Sequence, residues 1–507
     1  EIGNDGVMFI CENNVIFVGE QNMSNGLSLN DCLVPTFHNT KIYDDEYNNA
    51  QLNNPYPSNS IYQTNHSMSS IQSMDKRILT IVDDNHTYVY NIKNVNLIDR
   101  ICGMLSFNGL QITNNVIMPK NVAMLTIGSR GDVEPFINLA NVMMKRGYNV
   151  KIITHRCFEN MIKSNGISFH PLSFDPVDLM KLCVNNYMMS INFMKESIKS
   201  FLPVIPSLLK DAYEGAQNAN MIIATPTSLA GYHIAEALQV PFVNVFTMPY
   251  THTNDQANVM TLATAEKENQ TWYTNVINYA TEVVTDQTLW IAVRNRINTW
   301  RKNELNIPAK GYFETNNSIL NSQKINTLYC YSSNVYEKPA DWPDNIYVTG
   351  YWRNETQENY TPSNEVSSFL NHFANLGVKP ILVSFGSVPI PDPENVYDSI
   401  ISICKSFDIP MIICTGWTTS EITSSDNVLI VQEISYDFIL KHINFMIHHG
   451  GAGTTAACIY NKVPMIIMPF FGDQFFWGKR VDDLKIGKVI SYKDLTQNKA
   501  ESSDVHN

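Results

Sequence analysis

The feature that most limits this chain is a repeated pattern: a short apolar run, a glycine-bearing turn, then apolar residues at helical spacing. Val122-Ala-Met-Leu-Thr-Ile-Gly128 is a nearly continuous apolar run, as expected for a strand buried on both faces. Asp132 stands where a helix N-cap would, with Pro135 in the first turn. Phe136, Leu139, Ala140, Met143 and Met144 follow at helical spacing, and Gly147 supplies a stop. Further strands read at Asn149-Val-Lys-Ile-Ile-Thr, Met221 to Ala224 and Pro241 to Phe246, with a helix beginning near Ser228. A mostly helical stretch runs from about Thr271 to Glu304, and Lys324 to Tyr331 returns to strand. A second series starts at Pro380, with strands at Ile381-Leu-Val-Ser-Phe, Met411-Ile-Ile-Cys, Val428-Leu-Ile-Val, Phe445-Met-Ile and Met465-Ile-Ile-Met. Strands alternating with helices make parallel sheets. The fold class is therefore α/β, with two doubly wound domains in tandem. Ligands of such sheets bind at the carboxyl ends of the strands.

The opening of the chain is different. Gly6-Val-Met-Phe-Ile-Cys and Asn14-Val-Ile-Phe-Val-Gly read as a hairpin. From Tyr43 to Ser73 the composition collapses into Asn, Ser, Tyr, Gln and Pro, which reads as a disordered or inserted loop. Strand-like runs return at Arg77-Ile-Leu-Thr-Ile-Val, Thr87-Tyr-Val-Tyr-Asn-Ile and Gly109-Leu-Gln-Ile. The expected division is a β-rich module at 1–118, a first α/β domain at 119–334 and a second at 335–507, consistent with 507 residues.

Charge removes one class of function. The net charge is −13 and no basic block occurs, so nucleic acid is not an expected partner. No apolar run approaches the ~20 residues that span a bilayer, and no signal peptide opens the chain. The nine cysteines are scattered without a C-x-x-C pair, so neither a disulfide framework nor a zinc site is indicated. Reduced core cysteines in a cytoplasmic protein are the expectation.

Chemistry concentrates in His448-His449-Gly450-Gly451-Ala452-Gly453-Thr454-Thr455, between a strand and a helix-like segment. Glycines let backbone approach a ligand, and a helix N-terminus offers free N–H groups and a positive dipole end. Thr454 and Thr455 add hydroxyls, and His449 adds a donor or a positive charge. This suits a diphosphate held without an obligatory metal. A tight strand-to-helix turn with threonine capping fits the same residues. Phe470-Phe-Gly-Asp473-Gln474 ends the next strand. There a carboxylate and an amide could bind vicinal hydroxyls, or Asp473 could cap the following helix with Gln474 solvated. Ser387, Trp417 and the segment up to Ile434 lie at the remaining carboxyl ends.

The stretch from His448 to Trp477 resembles the donor-site signature of the family 1 UDP-sugar glycosyltransferases. It is most similar to their sterol 3-β-glucosyltransferases. Leu125-Thr-Ile-Gly-Ser-Arg-Gly-Asp-Val-Glu-Pro-Phe is similar to that subfamily's opening motif, and Phe246-Thr-Met-Pro, Val348-Thr-Gly-Tyr-Trp and Val383-Ser-Phe-Gly-Ser agree at the expected intervals. The resemblance covers about Asn121 to Lys488 and implies a GT-B fold, two Rossmann-like domains facing a cleft. It implies donor contacts at Ser129, Arg130, Asp132, Ile434, His449, Ala452, Gly453, Thr454, Asp473 and Gln474, with Ser387, Trp417, Tyr436 and Thr455 beside them. Asp473 and Gln474 would hold the glucose hydroxyls. It also implies inversion at the sugar C1, for which Asp132 is the candidate base, Arg130 orienting it or meeting phosphate. His155, His170 and His233 read as structural or surface residues.

Three departures bear on this. The subfamily's Pro-His-Asp-Trp segment is Ser435-Tyr436-Asp437-Phe438 here, so Tyr436 replaces an imidazole. The usual Trp and Arg after Thr-Met-Pro are Tyr250 and His252, which changes the expected acceptor preference. The chain ends in a polar tail soon after Lys488 instead of the family's terminal helix, with weakened closure expected. Acceptor-pocket candidates are Met180, Met188, Phe193, Tyr250 and His252, since Met-rich surfaces adapt to flat apolar ligands. The same methionines also suit an ordinary core. In fungal relatives, lipid-binding GRAM and PH modules precede the transferase, and the opening β-rich segment could be a remnant that docks peripherally on membranes. Its 6 Lys+Arg against 12 Asp+Glu over residues 1–120 oppose a basic headgroup patch.

The function implied is transfer of glucose from UDP-glucose to the 3-hydroxyl of a sterol, with no metal or cofactor. Two alternatives stay open: another lipid or polyketide-like acceptor, and a non-catalytic lipid- or nucleotide-binding relative.

Overall fold

The computed structural model describes residues 121–495 except 176, 179, 182–183, 185–194, 197–198, 261–271, 354–359, 387, 417 and 419–420. Before residue 121 it describes only short strands. Among these, Gly6–Cys11 and Asn14–Gly19 form the expected antiparallel hairpin, with Cys11 opposite Asn14. Ser70–Gln72, Ile78–Val82, Thr87–Asn91 and Gln111–Ile112 form a second small sheet. Ser70–Gln72 is thus strand where the composition suggested loop. The rest of that loop, from Tyr43 onward, lies outside the described residues.

The first large sheet uses β1 (Asn121–Leu125), β2 (Asn149–His155), β3 (Ser168–Leu172), β4 (Met221–Ala224), β5 (Phe242–Phe246), β6 (Thr327–Tyr329) and β7 (Ile346–Val348). The order is β7-β6-β5-β4-β1-β2-β3 and every pairing is parallel. Its helices include α1 (Arg130–Lys145), α2 (Ile205–Gly215), α3 (Gly231–Leu238) and the long α4 (Trp272–Asn303). The last strand, β7, belongs to this sheet although it lies beyond residue 335. The turn at Pro226–Ser228 is a 3₁₀ turn, so α3 begins three residues after Ser228.

The second sheet uses β8 (Ile381–Ser384), β9 (Met411–Cys414), β10 (Val428–Val431), β11 (Met446–His448), β12 (Met465–Ile467) and β13 (Gly487–Val489). Its order, β10-β9-β8-β11-β12-β13, is again wholly parallel. Two helices matter below, α5 (Ala452–Tyr460) and α6 (Gln474–Asp483). The apolar runs became central strands because both faces are covered: β4, β8 and β9 are buried throughout.

Strand order reverses between β1 and β4 in the first sheet and between β8 and β11 in the second. Such switch points leave a crevice at the strands' carboxyl ends. An aromatic cluster joins the two halves, in which Tyr329, Tyr331, Tyr336 and Trp342 pack with Phe476 and Trp477 of α6. Tyr331 and Trp477 are 5.6 Å apart edge to face, and Arg480 donates to the Val335 carbonyl at 2.9 Å. Asn138 of α1 donates to the Trp352 carbonyl at 2.9 Å. The two switch points therefore face each other.

Candidate active site between the two sheets

The site is built where α1 and α5 begin. Ser129, not Asp132, is the N-cap of α1, and Asp132 occupies the third helical position of a capping box. The cap falls earlier than the sequence suggested because Ser129 reaches the Gly131 N–H at 3.3 Å while Asp132 turns back to the Ser129 N–H at 2.8 Å. Pro135 accordingly lies inside the helix and not in its first turn.

Both oxygens of Asp132 are engaged. Oδ2 takes the Ser129 N–H at 2.8 Å and its hydroxyl at 3.2 Å, and Oδ1 takes the Thr247 hydroxyl at 3.3 Å. Burial pushes the carboxyl above its ordinary range, against the pull of these hydrogen bonds. Gly128, at φ +145°, makes room for it: a methyl there would sit 2.2 Å from Oδ2. The Gly128 N–H donates to His155 Nε2 at 3.2 Å, and His155 Nδ1 donates to the Phe174 carbonyl at 2.8 Å. His155 is thus a fully buried structural residue, neutral because burial lowers its pKa.

In the second half, β11 ends at His448 and α5 starts at Ala452 with Gly451 as its N-cap. The helix starts four residues before Ala456, so Gly453, Thr454 and Thr455 lie within its first turn instead of preceding it. The two helix N-termini meet: the Cβ that Gly453 lacks would lie 3.3 Å from the Gly131 Cα. An N-terminus of this kind favours an anion. A second, independent feature is His449. Its Nδ1 is buried without a hydrogen-bond partner, and burial lowers its pKa to about 4. At neutral pH the ring therefore offers a hydrogen bond and not the positive charge that the sequence also allowed. Its Cε1 edge lies against the Gly386 turn at the end of β8.

Asp473 is the N-cap of α6, with Oδ2 accepting from Trp477 Nε1 at 2.8 Å. Burial and then the charge of Asp132 raise its pKa to about 7. The charge of Asp132 thus reaches Asp473 across the cleft, as the smaller of the two causes.

The remaining candidates divide. Gln474 is buried and not solvated, and its Oε1 accepts the N–H groups of Phe470 and Phe471 at 2.8 and 3.2 Å, leaving the NH2 for a ligand. Thr455 is fully buried, so its hydroxyl is not presented at the surface, and half-buried Thr454 bonds the Tyr436 hydroxyl. Ile434 belongs to the core. Tyr436 spends its hydroxyl on Ser384 at 2.9 Å and is not a free stacking plane with a spare donor. Arg130 is exposed and pairs with Glu134 at 3.2 Å, one turn along α1. Ser387 and Trp417 lie outside the described residues.

Of the acceptor candidates, Met180 is buried, while Met188 and Phe193 lie outside the described residues. Tyr250 and His252 converge on Asp286 of α4, at 3.3 and 3.5 Å. The loop after β5 therefore carries Thr247 to Asp132 and, a few residues on, Tyr250 and His252 to α4. Sequence reasoning missed Thr247, Gly128 and Trp477 as supports of the two acids. The signal for Trp477 was present as an i,i+4 spacing from Asp473. Among the described residues no group of three or more His, Cys, Asp or Glu is placed to hold a metal ion.

Comparison with known proteins agrees with this arrangement. Residues 122–255 match the glycosyltransferase family 28 N-terminal domain, and residues 401–505 match the erythromycin biosynthesis protein CIII-like C-terminal domain. The chain is 38% identical over 378 residues to a sterol 3-beta-glucosyltransferase of Penicillium rubens, covering 73% of this chain and 27% of that protein. It is 37% identical over 375 residues to one of Aspergillus fumigatus, covering 72% and 26%. The chain thus spans about a quarter of the length of these curated relatives. Among solved structures, the glycosyltransferase of kitacinnamycin aligns with a TM-score of 0.51 at 14% identity, covering 74% of this chain and 87% of that one. The calicheamicin glycosyltransferase CalG4 aligns at 0.50 and 14%, covering 74% and 86%. The fold is GT-B.

Proposed function

The chain belongs to the family 1 glycosyltransferases, and on that premise we propose that it transfers glucose from UDP-glucose to the 3-hydroxyl of a sterol, inverting the sugar C1. The observation that carries this reading is the close approach of the starts of α1 and α5, at Gly131 and Gly453, with Asp132 and Asp473, both raised in pKa by burial, at the starts of α1 and α6.

Each part has a chemical task. The diphosphate sits at the start of α5, receiving its free N–H groups and a hydrogen bond from the His449 ring, whose Nε2 lies beside Gly451. Asp473 and the Gln474 NH2 group hold glucose hydroxyls, fixing the face that C1 presents. The acceptor hydroxyl approaches Oδ1 of Asp132, which has a lone pair beyond the one that Thr247 fills. As the acceptor oxygen bonds to C1, the bond from C1 to the diphosphate oxygen breaks. The acceptor proton passes to Asp132, and UDP leaves from the opposite face. Burial helps, because a carboxylate that holds protons more tightly than usual is a stronger base. The Ser129 and Thr247 hydrogen bonds fix its direction.

The sterol comes from the names of the relatives, and Tyr250 and His252 next to the base-bearing loop are the residues we assign to acceptor choice. Turnover is expected to persist with a chelator present. The test is mass spectrometry of lipid product after incubating the protein with UDP-glucose and a mixed sterol extract. A steryl glucoside supports the reading. A failure to bind UDP at all sinks it.

A further inference from the structure

The long helix α4 changes polarity halfway along. In its C-terminal half the buried positions are Trp290, Val293, Ile297 and Trp300, packed in the first core, with Asn298 and Arg301 beside them near the end of the helix. In its N-terminal half the buried positions are Asn278, Glu282, Thr285 and Asp286. There the outward face is apolar, with Trp272, Tyr273, Val276, Ile277, Val283 and Val284 exposed, Trp272 at 80%. A surface helix ordinarily does the reverse. Beside it, the turn after α4 is pinned in place: Trp290 Nε1 donates to the Gly311 carbonyl at 3.0 Å, and Gln287 donates to the Tyr312 carbonyl at 2.8 Å. That turn presents Tyr312 and Phe313, exposed by 65% and 82%.

Charge identifies the occupant. From Trp272 to Val293 the only charged side chains are Glu282 and Asp286, and both are turned inward, at 3% and 6% exposure. Over roughly 30 Å of helix, at 1.5 Å per residue, the outward face offers a protein partner no charged side chain to pair with, and the next charge along the helix, Arg294, lies at its edge, 3.9 Å over the Tyr312 ring. An uncharged face tipped with Trp and Tyr matches the boundary of a lipid bilayer, where such rings settle. No helix among the described residues is long and apolar enough to cross a membrane, so this one would lie on it. The inward polar face also reaches the acceptor side, since Asp286 accepts from the Tyr250 hydroxyl and lies 3.5 Å from His252 Nε2.

We propose that the outward face of the N-terminal half of α4, with Tyr312 and Phe313, docks the protein on a lipid bilayer through apolar contact. The catalytic reading supplies only the identity of what is fetched from the membrane, and docking is measured without any donor. The experiment is co-sedimentation of the full chain with neutral phosphatidylcholine vesicles at about 0.1 M and about 1 M salt, where charge–charge attraction is largely screened. It includes the double variant Trp272→Glu with Phe313→Glu, and Phe407→Glu as a control at an exposed position on the second half. The parent and the control bind equally at both salt concentrations. The double variant loses at least about tenfold in partitioning, close to 1.4 kcal/mol, while keeping its thermal midpoint and its UDP affinity. Turnover on vesicle-embedded sterol falls with it, and turnover on detergent-dispersed sterol does not. The proposal is overturned if the double variant sediments as the parent does, or if binding needs anionic lipid and vanishes in salt. It is also overturned if the parent ignores vesicles and self-associates through this face. A protein that docks as described but makes no glucoside would leave docking intact and remove the transferase reading alone.

Discussion

Asp132 and Asp473 lie on opposite halves of the molecule, at the starts of α1 and α6, yet the charge of the first raises the pKa of the second to about 7, after burial. Burial raises both carboxyls above their ordinary range, and at Asp473 the negative charge of Asp132 adds to it. On the proposed function, Asp473, with its pKa near 7, can donate a hydrogen bond to a sugar hydroxyl when it is protonated.

Asp132→Asn removes the proposed base and keeps a side-chain oxygen for the Ser129 N–H. It should cost about 10² to 10⁴ in kcat, the usual range for general base catalysis, with UDP affinity unchanged. Removing the like charge should also move the Asp473 carboxyl downward from about 7, visible in a carbon NMR titration of labelled aspartate. An unchanged Asp473 titration would show that the two acids do not interact.

Gly128→Ala tests the space the base needs. The added methyl would lie 2.2 Å from Asp132 Oδ2, at a backbone φ of +145° that alanine rarely adopts. Turnover should fall at least as far as about tenfold, with donor affinity preserved because the helix α5 end is untouched. Steady-state kinetics beside UDP calorimetry separates the two parameters.

His449 should take up a proton when a nucleotide diphosphate binds. Its pKa of about 4 in the free protein reflects burial, and an adjacent anion raises it. Calorimetry at about pH 5 in two buffers of different ionisation enthalpy should show proton uptake on UDP binding. His449→Gln should abolish that uptake and weaken binding roughly tenfold or more. Equal uptake in the variant would place the proton elsewhere.

Glu282 makes folding stability fall with pH. Burial raises its pKa to about 8 from an ordinary 4.5, so the folded state holds this proton more tightly than the unfolded one. Its contribution is fully present below about 4.5 and is lost as pH rises through about 8. Glu282→Gln keeps an oxygen for the Asn258 amide and should flatten this slope in urea unfolding between those pH values. The gain over the parent should reach a few kcal/mol at about pH 8.5, at about 1.4 kcal/mol per unit of pKa difference.

The alternation of sheet and helix was legible because its strands are buried on both faces and so are written as apolar runs. The glycine loop at 450–453 was legible for a related reason, since backbone that must pass close to a neighbour has few residue choices. What the sequence hid was long-range pairing. Nothing local marks Thr247 as a partner of Asp132, 115 residues away. Nor could it distinguish Thr454 from fully buried Thr455, because neighbours in a first helical turn point in different directions. The polarity of α4 was hidden for the opposite reason: its apolar and polar residues are present in the right numbers, and only their orientation is unusual.

The approach of Gly131 to Gly453 has a kinetic consequence. Each helix end carries about half a positive charge, so holding α1 and α5 together at their starts is easier with a negative group beside them. On the proposed function, a nucleotide diphosphate bound beside the start of α5 is that counter-ion. The sugar donor would then favour the closed arrangement of the halves, which a lipid arriving first would not. Turnover should therefore run in one order, with the nucleotide entering before the lipid and leaving after it.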